Sequence, residues 1–162
     1  LVAGSAEGMG PEIVRSVTEL RTIIAPDAAR MAAERCAEAE VVAISDAAKG
    51  MDRPDASIDE LTESCLRFWK CLVLASHNLA YRLAFNSLLV TYVSDAGILR
   101  QTIEPELRAT QLYEEVAEAI RLRDGALARE RSLALVSIGS DAIFQAIKLY
   151  EQSQNTKARE KS

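Results

Sequence analysis

The chain has 162 residues, of which 49% are hydrophobic and 27% are charged, a composition typical of one soluble globular domain. Its 19 Lys and Arg residues against 24 Asp and Glu residues leave a formal net charge of −5, which argues against nucleic-acid binding by this domain alone. No apolar run approaches the roughly 18–20 residues of a membrane-spanning helix, and residues 1–10 carry no positive charge of the kind that opens a signal peptide.

The first third of the chain predicts two helices that are separated at a proline. Pro11 suits the first turn of a helix, and apolar residues follow it at helical spacing as far as Ile24. Pro26 is predicted to begin a new first turn. The run of Ala and Glu residues over 28–49 then favours one continuous helix, which Gly50 is expected to end.

The middle of the chain carries a helix start signal and an unusually apolar segment. Ser57 precedes Glu60 by three residues, and this capping box predicts the start of a helix. His77 and Asn78 separate that helix from the next segment. Residues 79–93 are apolar almost all round, and a helix with so little polar surface is predicted to lie at the centre of a bundle.

The last third of the chain predicts two further helices and a polar tail. Pro105 begins a helix whose apolar stripe continues to Leu122, and Asp124 is the expected N-cap of the long final helix. Residues 151–162 are polar and are predicted to fray. Because no segment alternates like a convincing strand, the sequence predicts an all-α antiparallel bundle of six or seven helices over residues 11–150.

The cysteine and histidine content limits the possible chemistry. Cys36, Cys65 and Cys71 are an odd number without a CxxC pair, which indicates free thiols in a reducing compartment rather than a zinc site or disulfide framework. His77 is the one histidine, so multi-histidine metal centres are excluded. A hydrolase that uses Cys65 or Cys71 with His77 is the enzyme hypothesis that remains, and we predict that the chain is not an enzyme.

Several polar side chains interrupt the apolar stripes, and each has two interpretations, one structural and one functional. Asn86 is either an amide satisfied by a neighbouring carbonyl or water, or a residue that meets a ligand in a cavity. Tyr92 and Tyr113 pose the same question, and Trp69 is more often a core residue than a ligand platform. Arg21, between apolar neighbours, either extends outward to solvent or is buried to meet a carboxylate or phosphate.

Three stretches of the chain carry distinctive patterns. Glu19–Cys36 carries the Arg…Pro-x-Ala-Ala-x-x-Ala-Ala pattern. Leu66–Leu88 is aromatic-rich and contains Ala-Ser-x-Asn at residues 75–78, the most specific of the short motifs. Leu112–Leu135 contains a helix that ends Ala-Ile, then a polar turn with Asp. In order and spacing over Ile13–Leu149 they resemble the C-terminal effector-binding and dimerisation domain of the FadR branch of GntR-type transcription regulators, and the resemblance implies the all-α bundle and a homodimer.

The resemblance also locates a metal site in which this chain departs from the family. Most members carry a metal in the bundle core, held by an Asp, a His four residues on, and two His residues from the last two helices. Here those positions are Cys65, Trp69, Tyr113 and Leu135. Divalent metals need several deprotonated nitrogen or oxygen ligands, so the resemblance predicts no metal and no other cofactor.

The departure favours the branch of the family that senses fatty acyl-coenzyme A and also lacks the metal. Residues 76–92 resemble the Ser-x-Asn-x-x-Tyr-x-Leu-x-x-Asn helix of that branch. The resemblance implies an apolar tunnel for an acyl chain, with side chains that hold the polar atoms of the ligand and an arginine that meets an anionic or carbonyl group. The tunnel walls would be Trp69, Phe85 and Leu135; the polar contacts would be Asn86, Tyr92, Tyr113 and Arg21; Cys65 completes the predicted ligand-binding set.

The predicted function is a cytoplasmic ligand-sensing and dimerisation domain that binds fatty acyl-coenzyme A or another carboxylate metabolite. Its DNA contacts would come only from a winged-helix domain that precedes it in the family. We expect residues 1–10 to be a linker or remnant of that longer chain, because Leu1 rather than Met opens the sequence. The alternative is a structural helical bundle that dimerises and binds no small molecule. Neither hypothesis involves a membrane.

Overall fold

The structure is a computed structural model that describes residues 10–94 and 101–160, and this part of the chain is all helical, without a strand. The side chains of residues 89–94 and 158–160 lie outside that description. Seven helices have their bounds within it, which confirms the predicted fold class. They are α1 (Pro11–Arg35), α2 (Glu38–Lys49), α3 (Ile58–Ala75), α4 (Leu79–Ser94), α5 (Glu104–Leu107), α6 (Thr110–Arg121) and α7 (Gly125–Glu160).

The prediction that a new helix begins at Pro26 is wrong, because α1 continues through it. An interior proline costs a helix about 3 kcal/mol or more through a lost hydrogen bond and a ring clash. Packing offsets this cost, since four alanines that follow the proline are completely buried. These alanines, at helical spacing on one side of α1, are Ala28, Ala29, Ala32 and Ala33.

The single helix predicted over residues 28–49 is also wrong, because the chain turns at Cys36 and Ala37. Cys36 has an extended backbone with ψ 146°, which ends α1. The Glu40 carboxylate then accepts a hydrogen bond from the Ala37 backbone N–H at 2.8 Å and starts α2. Strong helix propensity on both sides did not reveal this turn, which the Glu40 carboxylate stabilises locally. The predicted end of α2 at Gly50 is confirmed.

The capping box of α3 is confirmed. The Ser57 Oγ accepts a hydrogen bond from the Glu60 backbone N–H at 3.3 Å, and the Glu60 carboxylate accepts one from the Ser57 backbone N–H at 2.9 Å. The predicted break after α3 is confirmed as well. His77 adopts a φ of 50°, in the left-handed region, and the Asn78 side chain accepts hydrogen bonds from the first N–H groups of α4.

The prediction that α4 lies at the centre of the bundle is not met by its described residues. Leu79 and Leu83 are 62% and 58% exposed. The helix packs against α1 and α3 at the edge of the bundle, through a face that includes Tyr81, Phe85 and Leu88. Apolar composition all round does not select one face, so periodicity alone could not orient this helix.

The centre of the bundle is formed instead by α1 and α7, which run antiparallel. Near one end Arg15 of α1 forms a 2.9 Å ion pair with Glu151 of α7, and near the other Arg30 lies against Gly125, the first residue of α7. The Asp124 N-cap is confirmed by its 2.9 Å hydrogen bond from the Leu127 N–H. Helices α3 and α6 pack against this pair, and α2 packs against α3 and α6.

Two boundaries in the last third differ from the prediction. The helix that starts near Pro105 ends as the short α5, and α6 begins only at Thr110. Residues 151–160 are helical rather than frayed, because Glu, Gln, Lys, Ala and Arg are good helix formers and extend α7. Their described side chains, at residues 151–157, are exposed.

Among the described residues, one helix is long and apolar enough to cross a membrane by length and composition alone, over Gly125–Lys157. It is the central helix α7, whose Leu135, Val136 and Ile143 are buried in the core. The core helix of a soluble protein satisfies the same criterion, so this finding is weak evidence for a membrane.

Candidate functional site

A buried ion pair lies at the middle of the bundle. Arg21, on the inner side of α1, has a side chain that is only 10% exposed, and its Nη2 contacts the Glu106 Oε1 of α5. The Arg21 guanidinium carbon lies 6.0 Å from the centre of the Trp69 ring on α3, within cation–π range. Of the two readings of Arg21, the structure therefore shows the buried one, with a carboxylate of the same chain as its partner.

Glu106 is the site residue that the sequence analysis missed. Its side chain is completely buried, and burial raises the pKa of its carboxyl group while the Arg21 guanidinium opposes that rise. Its Oε2 faces Gly139 of α7, where a Cβ atom would overlap the carboxylate. The signal that could have located it is this glycine inside a long helical pattern, which often marks a close approach.

The residues at the family's metal positions meet beside this pair. The Tyr113 hydroxyl of α6 donates a 3.3 Å hydrogen bond to the Cys65 Sγ of α3. Phe68 packs edge-on against both Tyr113 and Trp69, with ring centres 5.0 and 5.2 Å apart. Leu135 of α7 is completely buried in the same core.

This donor set does not fit a divalent metal. Burial, reinforced by the negative charge of Glu106, raises the pKa of the Cys65 thiol to about 12, and burial raises the pKa of Tyr113 well above its usual value. Trp69 and Leu135 offer no metal-ligating atom, so only two of the four family positions carry a side chain that could bind a metal, and divalent metals need several such ligands. No group of three His, Cys, Asp or Glu side chains in the described ranges is arranged to hold a metal ion.

Three predicted ligand residues remain, and not all of them lie in this cluster. Phe85 is partly buried and packs against the core from α4. Asn86 is exposed, which corrects the interior position expected of it, because the neighbouring face through Tyr81 and Phe85 is the one turned toward the bundle. The Tyr92 side chain lies outside the described residues.

Two cavities among the described residues lie away from the ion pair. One of about 270 Å³ is bordered by the loop after α2 and by Leu61, Arg108 and Thr110. The other, of about 330 Å³, lies between α6 and α7 near Glu115 and Arg131. Neither is lined by a predicted ligand residue, so the candidate site is the buried cluster around Arg21.

A helical bundle whose interior carries converging polar side chains is an architecture in which ligand and cofactor sites are commonly built. The family model of the FCD domain matches residues 16–137, so the chain belongs to the FCD family, the C-terminal domain of GntR-family regulators. This confirms the predicted resemblance to the C-terminal domain of GntR-type regulators.

The chain is also similar to a characterised regulator. It is 24% identical over 135 residues to the galactonate operon transcriptional repressor of Escherichia coli (strain K12). The matched region covers 78% of this chain and 56% of the relative, so the chain spans about half the length of that protein.

Proposed function

We propose that this chain is the effector-binding and dimerisation domain of a GntR-family transcription regulator. The observation that carries the proposal is the buried polar cluster of Arg21, Glu106, Cys65 and Tyr113. A core built for stability alone gains little from such a cluster, because replacing a buried ion pair by apolar residues is often neutral or stabilising. Its position between α1, α3, α5 and α6 suits recognition of a ligand inside the bundle.

In this proposal a small organic effector enters the bundle and changes how two DNA-binding domains are spaced in a homodimer. Fatty acyl-coenzyme A and other carboxylate metabolites are the candidate effectors. The similar repressor is named for a galactonate operon. Because galactonate is an organic acid, organic acids stay among the candidate effectors. The ligand and DNA affinities are then coupled reciprocally. The regulator acts in the cytoplasm, is not an enzyme, and contacts DNA through a domain outside these 162 residues.

In this proposal one group of side chains makes apolar contacts with the ligand and a second group makes polar contacts. Trp69, Leu135 and Phe85 supply apolar surface for the ligand body. Arg21 and Tyr113 supply the polar contacts, although each already has a partner inside the protein. Ligand entry therefore exchanges existing contacts for new ones, and such an exchange can move the helices that carry them.

Thermal unfolding with added ligand tests the proposal. We expect palmitoyl-coenzyme A or galactonate to raise the melting temperature of the purified chain, and native mass spectrometry to show the ligand on a dimer. Arg21→Gln should abolish the increase, whereas Arg121→Gln should not, because Arg121 is exposed and pairs with Glu118 on the surface. If no shift occurs with either ligand at concentrations up to millimolar, the structural dimerisation bundle is the better account.

A further inference from the structure

Two buried side chains of opposite charge lie in contact in the interior that the structure describes. Among the described residues that are buried, Arg21 and Glu106 are the charged ones, and they form an ion pair with each other. A free carboxylate that entered beside them would bring an uncompensated negative charge into the core. Such a charge is costly to bury.

Glu106 is held firmly in its position. Ile103 and Leu107 on either side of it are buried, so its carboxylate cannot turn outward without displacing α5. On the other side it meets Gly139, whose lack of a side chain makes the room that the carboxylate occupies. Glu106 is thus a tethered carboxylate placed where a ligand carboxylate would meet the guanidinium of Arg21.

Two other buried atoms beside Arg21 are suited to an uncharged polar group. The Trp69 Nε1 is a hydrogen-bond donor near the Cys65 thiol, and the Glu106 Oε2 is an acceptor near the Gly139 backbone N–H; neither contact has the geometry of a full hydrogen bond. A hydroxyl or amide group can accept from the first and donate to the second without adding charge. A carboxylate could use only the donor.

We infer that Glu106 sets the charge specificity at Arg21: it occupies the anion position beside the guanidinium, excludes free carboxylates from it, and favours an uncharged hydroxyl or amide group there. This inference rests on the proposed function, because it names the chemical class that the effector presents to Arg21. It narrows the effectors to ligands whose polar group at this point is neutral, so that galactonate would meet Arg21 through a hydroxyl group and not through its carboxylate.

Acetate tests this inference without knowledge of the natural effector. Glu106→Ala removes the glutamate atoms beyond Cβ, and these correspond in number and type to an acetate ion. We expect acetate to raise the melting temperature of Glu106→Ala by about 3–5 °C for each tenfold excess over its Kd, and to leave the wild-type chain unchanged relative to chloride at equal ionic strength.

Three further variants make the result decisive. The double variant Arg21→Gln, Glu106→Ala should lose the acetate response, and Glu118→Ala, which removes an exposed carboxylate, should never show it. If Glu106→Ala folds only when acetate is present, that dependence supports the inference. If it does not fold at all, Glu106→Ser is titrated in its place, because serine also leaves the carboxylate position empty: an acetate shift that the wild type lacks supports the inference, and no shift overturns it.

Two results would overturn the inference while leaving the proposed function intact. One is an Arg21-dependent acetate shift in the wild type equal to that in Glu106→Ala, since Glu106 then excludes nothing. The other is a folded Glu106→Ala without any acetate response. Failure of the proposed function is distinct from both, because it is the absence of any response of the wild type to coenzyme A esters and galactonate.

Discussion

Arg21 and Glu106 show which kinds of site residue a sequence reveals. Arg21 stood out because an arginine among apolar neighbours is unusual, although its direction was open. Glu106 did not stand out, because an acidic residue in a first helical turn has an ordinary role near the positive end of the helix dipole. Only the three-dimensional approach of α5 to α7 makes it a core residue; Gly139 marks a close approach to α7 but does not identify Glu106 as the group that approaches.

Replacing Gly139 by alanine tests the contact between α7 and Glu106. A Cβ at Gly139 would overlap the Glu106 carboxylate, so we expect Gly139→Ala to destabilise the protein by about 1–3 kcal/mol in urea unfolding. Without the clash, alanine in a helix is favoured over glycine by about 1 kcal/mol. The same change in a Glu106→Ala background should therefore be stabilising. A loss of stability in both backgrounds would show that Glu106 is not the obstacle.

The cysteines provide a residue-scale test of the enzyme hypothesis. Burial raises the pKa of Cys65, to about 12, and also that of Cys36, so both remain unreactive thiols at pH 8. Cys71 is only partly buried. We expect iodoacetamide to modify Cys71 first and the other two only in denaturant, as mass spectrometry of peptides would show. Selective modification of Cys65 in the folded protein would revive a thiol-based activity.

At the scale of helices, the sequence was a reliable guide where a local side chain marks the boundary. The Ser57–Glu60 box and the Asp124 cap lie where they were predicted, because each satisfies backbone N–H groups within one turn. The sequence was misleading where packing between helices determines a helix boundary or the buried face of a helix. Pro26 is kept inside α1 by contacts with other helices, and the exposed face of α4 reflects its place in the bundle.

The capping box of α3 gives stability that depends on pH. Hydrogen bonds from the Ser57 backbone and hydroxyl, together with Arg53, lower the pKa of Glu60 from 4.5 to about 2. A lowered pKa in the folded state gives stability that is present above pH 4.5 and is lost as the pH falls toward 2. Ser57→Ala should cost about 1 kcal/mol at pH 7.

The pH dependence separates this effect from a general loss of helix stability. Urea unfolding at pH 7 and pH 3 should show a smaller acid-induced loss in Ser57→Ala than in the wild type, because less of the pKa shift of Glu60 remains. Thr62→Ala is the matched control, since the Thr62 hydroxyl donates to the Ile58 carbonyl in the same helix without contacting a charge. Equal acid-induced losses in all three proteins would contradict the role of Glu60.

At the scale of the whole molecule, hydrophobic periodicity and helix-capping signals were enough to predict the all-helical fold class. The arrangement of the helices was not predictable in the same way, because antiparallel packing of α1 on α7 joins residues that lie more than a hundred positions apart. For the same reason, the convergence of the site residues could not be predicted from the sequence. Those on α1, α3 and α6 were proposed through a family pattern, whereas their convergence on α5 is visible only in the folded chain.

Truncation of α7 tests where the domain ends. The described side chains after Glu151 are exposed, whereas Ile143 and Ile147 are buried in the core. A chain that ends at Glu151 keeps both isoleucines and the Arg15–Glu151 ion pair. We expect it to unfold at nearly the temperature of the full chain. A chain that ends at Ala142 exposes the surface that these isoleucines cover, at about 2 kcal/mol or more for each, and should lose cooperative unfolding. Calorimetry of the three chains would decide, and a large loss of stability in the chain that ends at Glu151 would place residues 152–162 within the folded domain.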